Sequence, residues 1–151
     1  MTFSDFFFDE KDDFDDELEN ALRSSGVKDI ARAIKYSPNK KVTVDFVIIK
    51  DDVAHCVFTQ ASCRERFLLK DRCAMIMRNS DCIQEINRML KTRVTAYDFW
   101  FIGKRENRGD SIEHTVDFFR KKATNFIAIP EDHCFSVFDH ERTSSFLHAV
   151  T

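Results

Sequence analysis

The sequence predicts a single α+β domain in which helices pack on a mixed β-sheet of four to five strands. The length of 151 residues fits one ordinary domain. Apolar stripes at helical spacing alternate along the chain with β-rich runs, and these runs include a short-turned hairpin and a strand–helix–strand unit at residues 93–129. Only three glycines and two prolines are present, which argues against an all-β architecture with many turns.

Residues 1–12 form an acidic and aromatic N-terminal arm, and residues 13–151 form the predicted domain. The phenylalanines of the arm are Phe3, Phe6, Phe7 and Phe8. Such a composition is typical of a partner-binding segment, but the arm could equally dock on the domain's own core, because exposed phenylalanine clusters are costly. We expect the arm to act through apolar burial as well as charge, within the chain or at a partner.

Two N-terminal helices are expected to precede the first strand, over residues 13–25 and about 27–36. The first has an apolar stripe at Phe14, Leu18, Ala21 and Leu22. It ends at Gly26, a residue type that favours the position after a helix. The stripe of the second consists of Val27, Ile30 and Ile34.

The clearest strand signal is a β-hairpin formed by residues 42–49 and 53–60. Both runs are rich in β-branched residues and the connection between them is short. Two helices are expected after the hairpin, one over residues 66–78 and one that begins at Asp81 and ends near Lys91. Residues 67–69 and 74–77 could instead form two short strands around a turn at residues 70–72.

The expected βαβ unit consists of a strand over residues 93–102, a helix that begins at Asp110 and a strand over residues 125–129. Its crossover would be right-handed. A last strand near Cys134 and a terminal helix over residues 143–149 complete the prediction.

Charge is segregated along the chain. Residues 1–20 contain nine acids and one base, and residues 131–151 contain four acids and one base. Residues 21–130 contain 21 bases and 13 acids. An acidic head and tail therefore flank a basic body, and this pattern indicates either contact between them or separate partners for each.

The five cysteines and the start of the chain indicate the compartment. The cysteine count is odd and no basic signal-like segment opens the sequence. No apolar run reaches the roughly 18 to 20 residues that a membrane helix needs. We therefore expect an intracellular protein of the cytoplasm or nucleus that is not associated with a membrane.

Two His-Cys dipeptides, His55-Cys56 and His133-Cys134, are the residues that come nearest to a catalytic pattern. Neighbouring strand residues face opposite ways, so a thiolate–imidazole pair could form only between adjacent strands. The spacings of the cysteines do not match a structural zinc site. We expect no metal site and no cofactor.

Two acids, Asp45 and Asp98, interrupt apolar strand runs and could be buried groups with a raised pKa. Such an aspartate more often lies on a solvated sheet face or at an edge. Because no other catalytic signature is present, we expect no catalytic residue.

The loop over residues 103–109 is the most suggestive basic feature. It supplies Lys104, Arg105 and Arg108 after a strand that carries Tyr97. Basic groups beside strand aromatics are what single-stranded nucleic acid requires, although an aromatic stripe at every second residue usually belongs to a core.

These observations favour a non-enzymatic binding or regulatory protein that acts through protein–protein interaction. We expect a protein partner, bound by the acidic-aromatic segment and the basic body. Binding of RNA or single-stranded DNA by the basic loop is the alternative, and a cysteine-nucleophile enzyme is a third interpretation. The sequence does not indicate an oligomeric state.

Overall fold

The computed structural model describes residues 3–35, 43–60, 82–104 and 131–151. In chain order these residues form helix α1 (Phe3–Ser24), strands β1 (Ile30–Lys35), β2 (Thr43–Lys50) and β3 (Val53–Gln60), helix α2 (Cys82–Leu90), strand β4 (Ala96–Gly103), a 3₁₀ turn (Glu131–His133), strand β5 (Cys134–Ser136) and helix α3 (His140–Val150). The predicted α+β class is confirmed.

The described strands form one five-stranded sheet in the order β1-β2-β3-β4-β5. The first three strands are antiparallel, whereas β3 with β4 and β4 with β5 are parallel. The predicted mixed sheet is therefore confirmed. Two parallel strands cannot be joined by a tight turn, because the chain must cross back over the sheet before the second strand begins. The chain between the parallel strands β3 and β4 makes such a crossover, and α2 is part of it.

The β2–β3 hairpin is also confirmed. Its two turn residues, Asp51 and Asp52, have φ angles of 49° and 67°, as the common two-residue hairpin turn requires. The amide of Thr95 donates to the carbonyl oxygen of Asp52 at 3.2 Å, and the Thr95 hydroxyl donates to the Asp52 carboxylate. The turn therefore fixes the start of β4 as well.

The prediction of two N-terminal helices is wrong, because residues 30–35 form strand β1 rather than part of a second helix. The apolar positions Ile30 and Ile34 fit a strand as well as a helix. In the structure they pair with Ile48 and Val44 of β2. Backbone pairing with a neighbouring strand overrides the modest helix propensity of so short a segment.

Helix α1 begins at Phe3, ten residues before the predicted start. No glycine or proline interrupts residues 3–24, and acids near a helix N-terminus interact favourably with its dipole. The helix ends at Ser24, one residue before the predicted end. The predicted Gly26 follows it with a φ angle of 99°, which side-chain-bearing residues rarely adopt.

Helix α2 and strand β4 confirm the elements expected near residues 81–91 and 93–102. Asn87 joins them: its side-chain amide donates to the carbonyl oxygen of Val94 at 2.9 Å, and its Oδ1 accepts from the Val94 amide at 2.8 Å. Of the βαβ unit expected at residues 93–129, only the first strand falls within the described residues. The helix expected at residues 66–78 lies outside them.

The terminal helix is present as α3, with Asp139 as its N-cap. The Asp139 carboxylate accepts from the backbone amide of Arg142 at 3.1 Å. Capping of this kind satisfies an amide that has no partner inside the helix.

One face of the sheet is buried beneath α1 and α3. The apolar residues of this core are Phe14, Leu22, Val27, Phe46, Ile48, Val57, Trp100, Ile102, Phe135, Phe146 and Val150. Within the described part of the chain, no helix is both long enough and apolar enough to cross a membrane.

The core assignment predicts that Phe146→Ala destabilises the protein by about 3–5 kcal/mol, because this side chain is 1% exposed and its loss leaves a cavity. The matched variant Phe138→Ala changes the same atoms at a position that is 56% exposed. We expect it to cost no more than about 0.5 kcal/mol. Urea unfolding of both variants measures the difference, and equal losses would contradict the core assignment.

Candidate functional site

The outer surface of α1 is acidic. Asp12, Asp13, Asp16 and Glu17 are exposed, whereas Phe14 and Leu22 of the same helix are buried. We call the four exposed acids the acidic face. Because a helix turns once every 3.6 residues, apolar residues at helical spacing turn inward while the acids point outward.

Arg32 of β1 connects the acidic face to the sheet. Its guanidinium contacts the Asp16 carboxylate, lies 3.8 Å from Oε1 of Glu19 and sits 5.8 Å from the ring centre of Phe46. Burial lowers the pKa of Arg32, but the hydrogen bond to Asp16 and the neighbouring acids raise it above its ordinary value. Arg32 therefore stays charged and holds α1 on the sheet.

The other acids of the face are not neutralised in this way. Asp12, Asp13 and Glu17 form no ion pair or hydrogen bond within the part of the chain that the structure describes. Their negative charge is therefore directed at solvent, where it can attract a positively charged surface.

Asp15 of α1 and Asp45 of β2 are both buried and share Thr59 of β3 as a hydrogen-bond partner. The Thr59 hydroxyl donates to Oδ1 of Asp15 at 2.6 Å, and the Thr59 amide donates to Oδ2 of Asp45 at 2.8 Å. The residues lie on α1, β2 and β3, so these bonds tie the helix to the hairpin. Asp45, a candidate buried acid in the sequence, therefore accepts a backbone amide at the place where the β2–β3 ladder ends.

A second polar site, the histidine–tryptophan cluster, consists of His55, Asp98, Trp100 and His133. The indole N–H of Trp100 donates to Nδ1 of His55 at 3.0 Å. The His133 ring stacks on the Trp100 ring, with 3.5 Å between centroids and 8° between planes. Nδ1 of His133 lies 3.2 Å from Oδ1 of Asp98 and 3.0 Å from the carbonyl oxygen of Phe99.

The parallel part of the sheet assembles this cluster. His55 of β3 lies opposite Asp98 of β4, and Trp100 follows Asp98 on the same face two residues later. His133 ends the 3₁₀ turn that leads into β5, the parallel neighbour on the other side of β4.

The two imidazoles of the cluster differ in proton affinity. Burial lowers the pKa of His55, and the nearby charge of His133 adds to that effect against the opposing influence of Asp98 and Asp51. Burial also lowers the pKa of His133, but the hydrogen bond and charge of Asp98 raise it above the ordinary histidine value.

The His-Cys dipeptides do not form a pair across adjacent strands, because β4 lies between β3 and β5. Cys56 is on the sheet face opposite His55, where its thiol lies 3.9 Å from the carbonyl oxygen of Ala54. Within the described residues, no group of three or more His, Cys, Asp or Glu side chains is placed to hold a metal ion.

The residues predicted for nucleic-acid contact fall at different places. Tyr97, near the start of β4, is half-buried, and Lys104 follows the other end of the strand, about 23 Å away at the usual rise per residue. The aromatic residues between them, Phe99 and Phe101, are buried, at 3% and 1% exposure. They are therefore closed to base stacking.

The remaining predicted residues are only partly described. Arg105 and Arg108 lie outside the described residues. Phe3, Phe6, Phe7 and Phe8 belong to the first turns of α1.

A further cavity of about 380 Å³ lies at the edge strand β1. Its apolar lining consists of Ile30, Ala31, Val47, Ile49 and Leu90. None of the predicted site residues lines it, and its charged lining residues are Lys28 and Asp29.

No family model, no curated protein and no solved structure matches this chain. The functional argument therefore depends on the geometry of the acidic face and of the histidine–tryptophan cluster.

Replacing Thr59 tests the buried link between α1 and the hairpin. Thr59→Val removes a hydrogen bond to a buried carboxylate and should cost about 1.5–3 kcal/mol of unfolding free energy. Thr95→Val removes a hydroxyl bonded to Asp52 at an exposed turn, so we expect a loss of at most about 0.5 kcal/mol. Chemical denaturation measures the free energy of unfolding of both variants. If Thr59→Val loses no more stability than Thr95→Val, the link between α1 and the hairpin does not stabilise the protein.

Proposed function

We propose that this protein functions by binding another protein and that the acidic face of α1 contacts a basic surface of the partner. The observation that supports this proposal is the combination of a helix anchored on its inner side with acids on its outer side. Three of those acids, Asp12, Asp13 and Glu17, are without an ion pair within the described residues.

Anchoring favours binding because it lowers the entropic cost of association. Phe14 and Leu22 are 4% and 0% exposed, and Arg32 holds the same helix from the side. A segment that is already helical and fixed loses less conformational freedom when a partner binds. The acids then contribute specificity and a high association rate more than raw affinity.

The first turns of the same helix extend this surface. Phe6 lies seven residues before Asp13 and eleven before Glu17, so its position on the helix falls on the side of the acidic face. In the proposal, Phe6 adds apolar contact with the partner. Large aromatic side chains contribute strongly to protein interfaces, whereas exposed acids alone contribute little.

Neutralising the acidic face tests the proposal. The variant Asp12→Asn, Asp13→Asn, Glu17→Gln should lose at least tenfold in partner capture from cell extract, because the attractive charge is gone. The matched control Asp29→Asn, Asp51→Asn, Glu141→Gln removes three exposed acids elsewhere and should capture as well as the wild type. Quantitative mass spectrometry of nuclease-treated pull-downs measures the capture.

Two results would contradict the proposal. Equal capture by the two triple variants would show that charge at α1 is not recognised. Loss of all capture after nuclease treatment would instead favour the nucleic-acid alternative, with Lys104, Arg105 and Arg108 as the residues to test next.

A further inference from the structure

The histidine–tryptophan cluster has one place for a positive charge. Nδ1 of His55 accepts from the Trp100 indole, so the His55 proton lies on Nε2 and the ring is neutral. Protonation of Nδ1 would remove the lone pair that accepts this hydrogen bond. The N–H of Trp100 would then face the new N–H of His55. The geometry therefore excludes a cation at His55 while the Trp100 bond is intact.

His133 is placed to hold that charge. Its Nδ1–H is directed at the Asp98 carboxylate and the Phe99 carbonyl, and its ring lies parallel to the face of Trp100. A protonated imidazole in this position gains an ion pair with Asp98 and a cation–π interaction with the indole. Both gains are weakened or lost when the ring becomes neutral.

Trp100 also contacts the C-terminal segment, residues 131–151. The Phe146 ring of α3 contacts Trp100 edge-on, with 5.0 Å between centroids, and Phe135 of β5 does so at 6.5 Å. By contrast, β5 pairs with β4 over three residues only. The aromatic contacts to Trp100 therefore add to this short strand pairing.

We propose that a proton on His133 acts as a switch that fastens the C-terminal segment to β4. With the proton present, His133 is held between Asp98 and Trp100, and the segment is closed. When His133 loses that proton, or when His55 gains one and releases the Trp100 indole, the segment loosens. The proposal is independent of partner binding by α1.

The charged groups around the two histidines decide the pH dependence. Burial lowers the pKa of both rings. At His133 this effect is opposed by Asp98 and Asp132. At His55 it is opposed by Asp98 and Asp51 and reinforced by the charge of His133. The pKa of His133 is raised, so its stabilisation is complete below about 6.5 and disappears as the pH rises through its folded value. The pKa of His55 is lowered, so stability falls as the pH drops below about 6.5. Attachment should be strongest near pH 6.5.

Hydrogen–deuterium exchange of the full chain tests the switch. Protection factors of α3 amides, corrected for intrinsic exchange, should be highest near pH 6.5 and fall towards pH 5 and pH 8.5. The fall on the alkaline side should be about tenfold for each unit by which the folded pKa of His133 exceeds its unfolded value. Flat protection factors in the wild type would overturn the proposal.

Single variants separate the two sides of the profile. His133→Phe keeps an aromatic ring on Trp100 but cannot be protonated, so the alkaline fall should vanish. His55→Gln keeps an acceptor for the indole, so the acidic fall should vanish. His148→Gln replaces an exposed histidine of α3 and should leave both falls unchanged.

A spectroscopic readout keeps the test valid if His133→Phe does not fold. In an NMR titration of the imidazole ¹⁵N signals, Asp98→Asn should shift the midpoint of His133 to lower pH. An unchanged midpoint, or an alkaline fall that persists in folded His133→Phe, would place the relevant proton elsewhere and overturn the proposal.

Discussion

The packing of α1 and α3 against one face of the sheet is the interaction on which the rest of the structure depends. Phe14 and Leu22 from α1 meet Phe146 and Val150 from α3 in one core above β2 to β5. Because the inner side of α1 is committed to this core, the acids of the acidic face point outward. Because α3 is committed to the same core through Phe146, the C-terminal segment is brought to Trp100. Both candidate sites are therefore consequences of how the two helices are buried.

Polar contacts decide how firmly these helices are held. Burying Asp15 would be costly without compensation, and the Thr59 hydroxyl supplies a partner at 2.6 Å. Arg32 acts at the rim of the same interface, where solvent weakens its ion pair with Asp16. At the other helix, attachment is aromatic and includes a titratable ring, His133. The polar contacts of α1 are thus made by carboxylates with Thr59 and Arg32, whereas one of the stacked rings that attach the C-terminal segment is a histidine.

Much of the fold could be predicted from local patterns, and the parts that could not depend on distant residues. The stripe of α1 and the β2–β3 hairpin are encoded within short segments, so spacing and turn residues were sufficient. Strand β1 could not be predicted locally, because Ile30 and Ile34 suit a helix or a strand and the strand that decides between the two, β2, is a separate segment.

The histidine–tryptophan cluster joins positions 55, 98, 100 and 133. Only the parallel pairing of β3, β4 and β5 brings them together. The sequence shows these residues separately, for example as an aspartate within a strand and a histidine next to a strand. It does not show that they meet. Tyr97 and Lys104 were grouped because they are close in sequence, but the length of an extended strand separates them.

The central claim is that α1 is an integral part of the domain, so that its acids are displayed on a fixed surface. Native-state hydrogen exchange of the amides in residues 15–24 tests this most directly, because protection reports the free energy of the opening that exposes each amide. The account predicts that these amides exchange with an opening free energy close to that of the β2–β3 hairpin. Rapid exchange in α1 while the hairpin stays protected would contradict it, since the helix would then detach without unfolding the sheet.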